Sequence, residues 1–174
     1  MILKQAVVGI FATICIIAAS MLQPSAANAQ ADPKVAKAMG LLKSGADGLG
    51  AAKLEGTDVV AGKTVPGLVF GTTKMFGNFA LVDGVVKQVG GTATMFVKSG
   101  DEYVRVVTNV KKDDGSRAVG TILDPAGKAI AAIKKNEAFY GEVTILDKPY
   151  ITGYEPIRDA AKNVIGIYYV GYLK

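Results

Sequence analysis

The sequence predicts an α+β fold in which one antiparallel sheet of about five strands carries helices on its faces. Two observations support this prediction. Apolar residues recur every three or four positions in two segments before Gly90, as in helices, and every second position after it, as in strands. The predicted strands also follow one another mostly through short turns, as antiparallel neighbours do. With 174 residues, half of them hydrophobic, the chain has the length and apolar content of one domain.

Residues 1–29 have the layout of a cleavable signal peptide. A lysine near the start precedes a long uncharged apolar run, and a Pro/Ser break then leads to small residues that end at Ala29. We therefore expect export with cleavage after Ala29, which leaves a periplasmic or secreted domain at residues 30–174. The alternative is an uncleaved membrane anchor, because the apolar run approaches the length that spans a bilayer.

The composition excludes several classes of catalytic and metal site. The chain has no His and one Cys, and that cysteine, Cys15, lies inside the predicted signal peptide. The domain at residues 30–174 therefore lacks a Ser-His-Asp triad, a Cys-His pair, a His/Cys zinc site and a disulfide. The net charge is +5, with no basic run interleaved with aromatic residues, which indicates no nucleic-acid partner. We expect a domain that is not an enzyme and needs no cofactor or metal.

The first predicted helix follows the signal peptide. Asp32 is placed as its N-cap, Pro33 takes the first helical position, and an apolar stripe extends to Leu49. Each interior glycine weakens a helix by roughly 1 kcal/mol relative to alanine, so we expect this helix to depend on packing against the sheet.

A hairpin and a second helix are predicted next. Residues 55–71 contain β-branched residues interrupted by Gly-Lys and Pro-Gly, which favours a short, irregular hairpin. Apolar residues from Met75 to Val89 are spaced by three or four positions, which predicts a helix that ends at Gly90.

The remainder of the chain is predicted to form the main sheet, interrupted by one small helix. That helix follows Asp124 as a cap and Pro125 at the first helical position. Alternation and turn residues indicate two strands and a short third before it, and three more after it. The predicted strands lie in TATMFVK, EYVRVVTNV, AVGTIL, AFYGEVTIL, YITGYEPI and NVIGIYYVGY.

One strand is predicted to carry an arginine opposite its aliphatic face. In EYVRVVTNV, alternation puts Arg105 on the face opposite Val104 and Val106, which are expected to lie in the core. If helices cover both sides of the sheet, Arg105 needs an acidic partner, because an unpaired buried charge is costly. Either Glu142 or Asp159 is that partner, or a bound anion takes its place.

The seven tyrosines all lie beyond residue 100 and concentrate on the predicted strands. Tyr150 and Tyr154 share one face of their strand, and Tyr140 shares a face with Glu142 on the strand before it. Hydroxyl groups near an arginine on an apolar sheet can hold a small carboxylate. The alternative is that the tyrosines fill the core with their hydroxyls directed to water. Together with Arg105, the set favours a pocket.

Seven segments between about Asn78 and Gly171 occur in an order that is found in a known family. They are LVD, GGTATMF, RVVTNV, DGSRAVGT, YGE, KPYITGYEPIRD and VIGIYYVG. In this order they resemble the single Cache domain of bacterial chemoreceptors, in its Cache 3/Cache 2 fusion form. The resemblance implies a PAS-like fold with a long N-terminal helix packed along a central antiparallel sheet. Small helices and loops would enclose a ligand pocket on the other side of that sheet.

The resemblance also implies a function in signal transduction and chemotaxis, as a sensor of a small organic ligand such as a carboxylate or an amino acid. Alternation puts Thr108 opposite Arg105, so the two are not both expected in one pocket, and Arg117 has an alternative role in holding its own loop. Carried over position by position, the candidate ligand-binding residues are Arg105, Thr108, Arg117, Tyr140, Tyr150 and Tyr154.

Two features depart from the receptors. The sequence ends at Lys174, directly after the last predicted strand, so we expect a stand-alone exported domain. The first helix is rich in glycine, whereas the receptors use a stiff helix that forms dimers. The alternative function is therefore that of an accessory periplasmic protein that docks on a membrane receptor or kinase through its surface.

Overall fold

The computed structural model describes residues 31–174, and the predicted signal peptide lies outside this part of the chain. These residues form three helices and eight strands. The helices are α1 (Pro33–Asp47), α2 (Ala80–Val89) and α3 (Lys128–Lys134), and the strands are β1 (Ala52–Val60), β2 (Lys63–Phe70), β3 (Thr73–Lys74), β4 (Thr92–Ser99), β5 (Glu102–Thr108), β6 (Phe139–Ile145), β7 (Lys148–Arg158) and β8 (Val164–Leu173).

The main sheet has five antiparallel strands in the order β5-β4-β8-β7-β6, which confirms the predicted α+β class with an antiparallel sheet of about five strands. The predicted irregular hairpin is present as β1 and β2, and β3 extends it into a separate three-stranded sheet. The β1–β2 pairing shifts register between Leu54 and Thr57, so the hairpin contains the expected irregularity. In the main sheet β5 and β6 are the edge strands.

Helix α1 begins as the sequence predicts. The Asp32 side chain accepts hydrogen bonds from the backbone N–H groups of Lys34 and Val35, and proline occupies the first turn. The helix ends at Asp47, before the predicted end of its apolar stripe, and the N–H of Gly48 donates to the carbonyl of Ser44 at 3.0 Å. The long N-terminal helix implied by the resemblance is therefore not confirmed within the described residues.

The two faces of the main sheet bury separate groups of apolar side chains. The first core lies under α1 and α2, and the second core lies under α3. Burying one large aliphatic or aromatic side chain contributes about 1.5–3 kcal/mol, so both faces contribute strongly to stability. The first core includes Val35, Met39, Leu42, Val82, Met95 and Val107. The second core includes Phe96, Tyr103, Ile130, Ile133, Tyr154 and Tyr169.

A β-bulge in β5 changes which face its last residues occupy. Val107 and Arg105 lie opposite two consecutive residues of β4, Met95 and Phe96, so β5 has one extra residue between them. An extra residue reverses the alternation of side chains along a strand. Thr108 therefore lies on the same face of the sheet as Arg105, the face of the second core.

Two predicted helix starts are wrong. Helix α2 begins at Ala80, and Met75 lies before it in irregular structure, where its fully buried side chain belongs to the first core. Apolar spacing thus continues past the end of the helix because the preceding loop is also buried. Helix α3 begins at Lys128, because the Asp124 side chain accepts a hydrogen bond from the N–H of Ala126 and forms a turn.

The strand predicted in AVGTIL is also wrong, since residues 118–123 form no named strand. They run beside the outer edge of β5, where the N–H of Arg105 donates to the carbonyl of Thr121 and the N–H of Leu123 donates to that of Tyr103, both at 2.9 Å. Gly120, at a φ of 85°, bends this segment. The segment therefore extends the sheet loosely and forms one side of the site described next.

Candidate functional site

A cavity of about 450 Å³ lies over the second-core face of the main sheet. Residues 121–124 and 127–129 line one side of it, and residues 142–146 line the other. Arg105 of β5 and Tyr154 of β7 also reach its wall. Ligand sites commonly have volumes of about 300–1,000 Å³, so this cavity is large enough for a small organic molecule.

Arg105 is the charged group that is most deeply buried in this wall. Its side chain is 5 % exposed, Nη1 donates to the Thr121 hydroxyl at 2.9 Å, and the Phe96 ring centroid lies 5.1 Å from the guanidinium carbon. The buried Nε has no hydrogen-bond partner in the described part of the chain, and none of the ion pairs found there includes Arg105. An arginine fork that is buried without an acid is suited to hold a carboxylate.

The surroundings of Arg105 affect its charge and that of its neighbours. Burial lowers the pKa of the Arg105 guanidinium, whereas the nearby hydroxyls of Tyr169, Tyr154 and Tyr150 act in the opposite direction. Burial likewise raises the pKa of Tyr154 and Tyr169 above the ordinary phenol value. These tyrosines are therefore neutral at pH 7, so their hydroxyls can donate hydrogen bonds to an anion.

The two acids expected as alternative partners of Arg105 have other partners. Glu142 accepts a charged hydrogen bond from Lys174 Nζ at 2.7 Å. Asp159 accepts hydrogen bonds from the backbone and side chain of Asn163. The sequence left three possible partners for Arg105: Glu142, Asp159 or a bound anion. Because both acids are paired elsewhere, these contacts favour the bound anion.

Thr108 and Arg117 do not line the cavity. Because of the bulge, Thr108 lies on the face of Arg105 rather than opposite it, but its hydroxyl contacts that of Thr94 at 2.7 Å and accepts from the N–H of Val110. Arg117 makes a bidentate ion pair with Asp83 of α2, with bonds of 2.8 and 2.7 Å, and donates to the carbonyl of Thr108. Arg117 therefore holds its loop against α2, which is the alternative role considered for it.

The remaining two predicted tyrosines also differ in placement from Tyr154. Tyr140 packs against the first core, and its hydroxyl donates to Glu155, which also accepts from Lys43 at 2.5 Å. Tyr150 packs against the second core close enough to influence Arg105, although it is not among the residues that line the cavity. The structure thus brings Arg105, Tyr154 and Tyr150 together and leaves Tyr140 on the other face.

A comparison with models of known protein families shows the family of this chain. The model of the Cache 3/Cache 2 fusion domain matches residues 18–174. The chain belongs to this family. Cache domains are extracellular modules that sense and bind small molecules, which fits a cavity on one face of the sheet. No curated protein matches the chain.

The described part of this Cache domain also contains no helix that is long and apolar enough to cross a membrane. Several cavity residues were missed by the sequence reading, among them Ile122, Asp124, Lys128 and Leu146. Ile122 and Leu146 are large apolar residues next to turns, and this is the one local signal that could have drawn attention to them.

Proposed function

We propose that this Cache domain binds a small organic carboxylate in the cavity and acts as a sensor or ligand-binding module. Arg105 would hold the carboxylate through paired charge-assisted hydrogen bonds, and Tyr154 would donate a further hydrogen bond. Tyr150, which lies near Arg105 but does not line the cavity, would help to position the guanidinium.

A single observation carries this proposal. Arg105 is almost fully buried, has a free Nε, and has no acidic partner among residues 31–174. A buried cation without a counter-charge is destabilising in the free protein, and a bound carboxylate relieves that cost. The ligand gains affinity from the same interaction.

Binding without chemical transformation is part of the same proposal. Residues 30–174 contain neither His nor Cys, so imidazole and thiol groups are missing as bases, nucleophiles and metal ligands. Of the two acids beside the cavity, Asp124 accepts a hydrogen bond from the N–H of Ala126, and Glu142 lies on the first-core face of β6 and pairs with Lys174. These contacts favour recognition over acid–base catalysis.

The proposal is tested by a thermal-shift screen of the full chain against carboxylates, amino acids, amines and purines. A carboxylate at about 100 times its Kd should add about 2.7 kcal/mol to the free energy of unfolding, which corresponds to a shift of several degrees in Tm. Arg105→Met should lose this shift and Arg105→Lys should weaken it, because lysine keeps the charge but not the planar fork. Arg158→Met is the matched control, since this arginine is exposed and bonds Asn136.

Two results would contradict the proposal. Amines that shift Tm while carboxylates do not would assign the cavity to cations, and a carboxylate shift retained in Arg105→Met would place the anion elsewhere. A screen without any shift, combined with copurification of a membrane receptor or kinase, would instead support the accessory docking protein.

We also propose that the domain is exported and works as a stand-alone periplasmic or secreted protein. The pattern of residues 1–29 supports cleavage after Ala29. The intact mass of the chain recovered from the periplasm or medium tests this directly. A mass that still includes residues 1–29, found in the membrane fraction, would support the anchor instead.

A further inference from the structure

The cavity is apolar over much of its surface away from Arg105. Its volume of about 450 Å³ is far more than a two- or three-carbon acid needs, given that one water molecule occupies about 30 Å³ in the liquid. The apolar side chains that line it are Ile122, Leu123, Ala129, Val143, Ile145 and Leu146.

Two of these side chains are exposed in the free protein. Ile122 is 44 % exposed and Leu146 is 40 % exposed, although both line the cavity. They belong to opposite sides of it, Ile122 to the segment beside β5 and Leu146 to the turn after β6. An apolar ligand group placed between them would remove the exposed surface of both from water.

The backbone of the Leu146 turn makes its side chain harder to explain without a ligand. Leu146 and Asp147 form the two-residue loop between β6 and β7, and their φ values are 47° and 61°. Hairpin loops with two left-handed residues favour Asn-Gly, and a large side chain at such a position is strained. The chain therefore keeps a strained, partly exposed leucine at the cavity, where asparagine would suit the fold better.

The charges around the cavity favour one carboxylate on the ligand. Asp124 lines the cavity with Arg105 and Lys128, whereas the Glu142 side chain lies on the first-core face of β6, as Tyr140 does. A second carboxylate would therefore meet one acid as well as the apolar side chains. With Arg105 holding the first carboxylate, Lys128 is the cation left in this lining to attract a second one, and Asp124 would repel it. A ligand with one anionic end and an apolar remainder matches the distribution best.

We propose that the ligand is a monocarboxylate with an aliphatic tail of several carbons. Arg105 takes the carboxylate, while Ile122 and Leu146 cover the tail and set the preference for its length. This inference rests on the proposed function, because it assumes that Arg105 binds the carboxylate.

The test measures Kd by titration calorimetry for acetate, butanoate, hexanoate, octanoate and octanedioate with the full chain. Affinity should rise about fourfold for each buried methylene, and octanedioate should bind at least tenfold more weakly than octanoate. Leu146→Asn should weaken octanoate about tenfold with little effect on butanoate, and should raise the Tm of the free protein. Ile122→Asn should likewise reduce the increase in affinity with chain length along this series of acids. Leu54→Asn is the control, since Leu54 is 41 % exposed and lies on β1, outside the cavity lining.

The outcomes separate this inference from the function on which it rests. If Kd depends on Arg105 but not on tail length, or if octanedioate binds as tightly as octanoate, the tail preference is refuted and carboxylate binding stands. If Leu54→Asn flattens the series as much as Leu146→Asn, the tail does not contact Leu146. If none of the acids binds, or if Arg105→Met binds each acid with the same Kd as the wild type, both proposals fail.

Discussion

Replacing Arg105 by methionine should stabilise the unliganded domain while it abolishes carboxylate binding. Arg105 is 5 % exposed, and its guanidinium makes one hydrogen bond, from Nη1 to the Thr121 hydroxyl, while Nε has no partner. Burial lowers the pKa of this arginine, which shows that the folded environment disfavours the charged form. Methionine fills a similar space without a charge or a donor, so it removes this cost.

The size of the effect follows from the contacts that are lost. Removing an unsatisfied buried donor raises the free energy of unfolding by about 1–3 kcal/mol. Loss of the contact between the arginine cation and the Phe96 ring offsets about 0.5–1 kcal/mol of this gain. The Thr121 hydroxyl still donates to the carbonyl of Ala118 at 2.9 Å, so the substitution leaves no new unpaired group. The difference spans about 0–2.5 kcal/mol, and a net gain of about 1 kcal/mol in the middle of that range should raise Tm by about 3–5 °C in a domain of this size.

Urea unfolding of the full chain at pH 7, without ligand, measures this directly. The midpoint should rise with an unchanged m value, which would show that stability rather than compactness has changed. Arg158→Met should alter the free energy of unfolding by less than about 0.5 kcal/mol, since that arginine is exposed. A loss of more than about 1 kcal/mol in Arg105→Met would refute the reasoning, because it would mean that the guanidinium stabilises the free fold.

Three further predictions concern the rest of the fold. Arg117→Met should lower the free energy of unfolding by about 1–3 kcal/mol, because it breaks the bidentate pair with Asp83, and should leave carboxylate affinity unchanged. Thr108→Val should cost about 1–2 kcal/mol in urea unfolding, because the buried Thr94 hydroxyl loses its partner. Stability should fall as pH rises above about 10, because burial raises the pKa of the Tyr169 phenol, so the unfolded chain loses this proton first.

Each of these has a result that would contradict it. An Arg117→Met variant as stable as the wild type would show that the ion pair is dispensable. The Thr94→Val/Thr108→Val double variant should cost less than the sum of the single changes, and simple additivity would argue against the hydroxyl contact. Absorbance at 295 nm that shows one more ionised tyrosine in the wild type than in Tyr169→Phe below the unfolding transition would contradict the protected phenol.

Sequence reasoning worked where the determining interactions are local. Asp32 and Pro33 start α1 as predicted, and Gly90, with a φ of 73°, ends α2. Caps and terminating glycines act within one turn of the backbone, so the residues that decide them are adjacent in the chain. The positions of the five main strands along the chain followed in the same way from alternation and turn residues, whereas the pairing of β4 with β8 joins residues distant in sequence and was not predicted.

The reading failed where a partner distant in sequence decides the geometry. The bulge in β5 is a property of its pairing with β4, and it moved Thr108 to the face of Arg105. The segment after Gly120 alternates like a strand, but it meets β5 only at single positions and lines the cavity instead. Nor did alternation reveal that Arg117 has an acidic partner in α2.

Three features of the cavity go against the rules that the rest of the domain follows. Arg105 is buried without a counter-charge, Leu146 occupies a left-handed position in a tight turn, and Ile122 leaves much of its apolar surface exposed. Each lowers the stability of the free protein. A ligand that brings a carboxylate to Arg105 and apolar atoms to the other two would offset the unpaired charge and cover the exposed apolar surface, while the backbone strain at Leu146 would remain. The affinity of such a ligand and much of the instability of the empty domain therefore have a common cause.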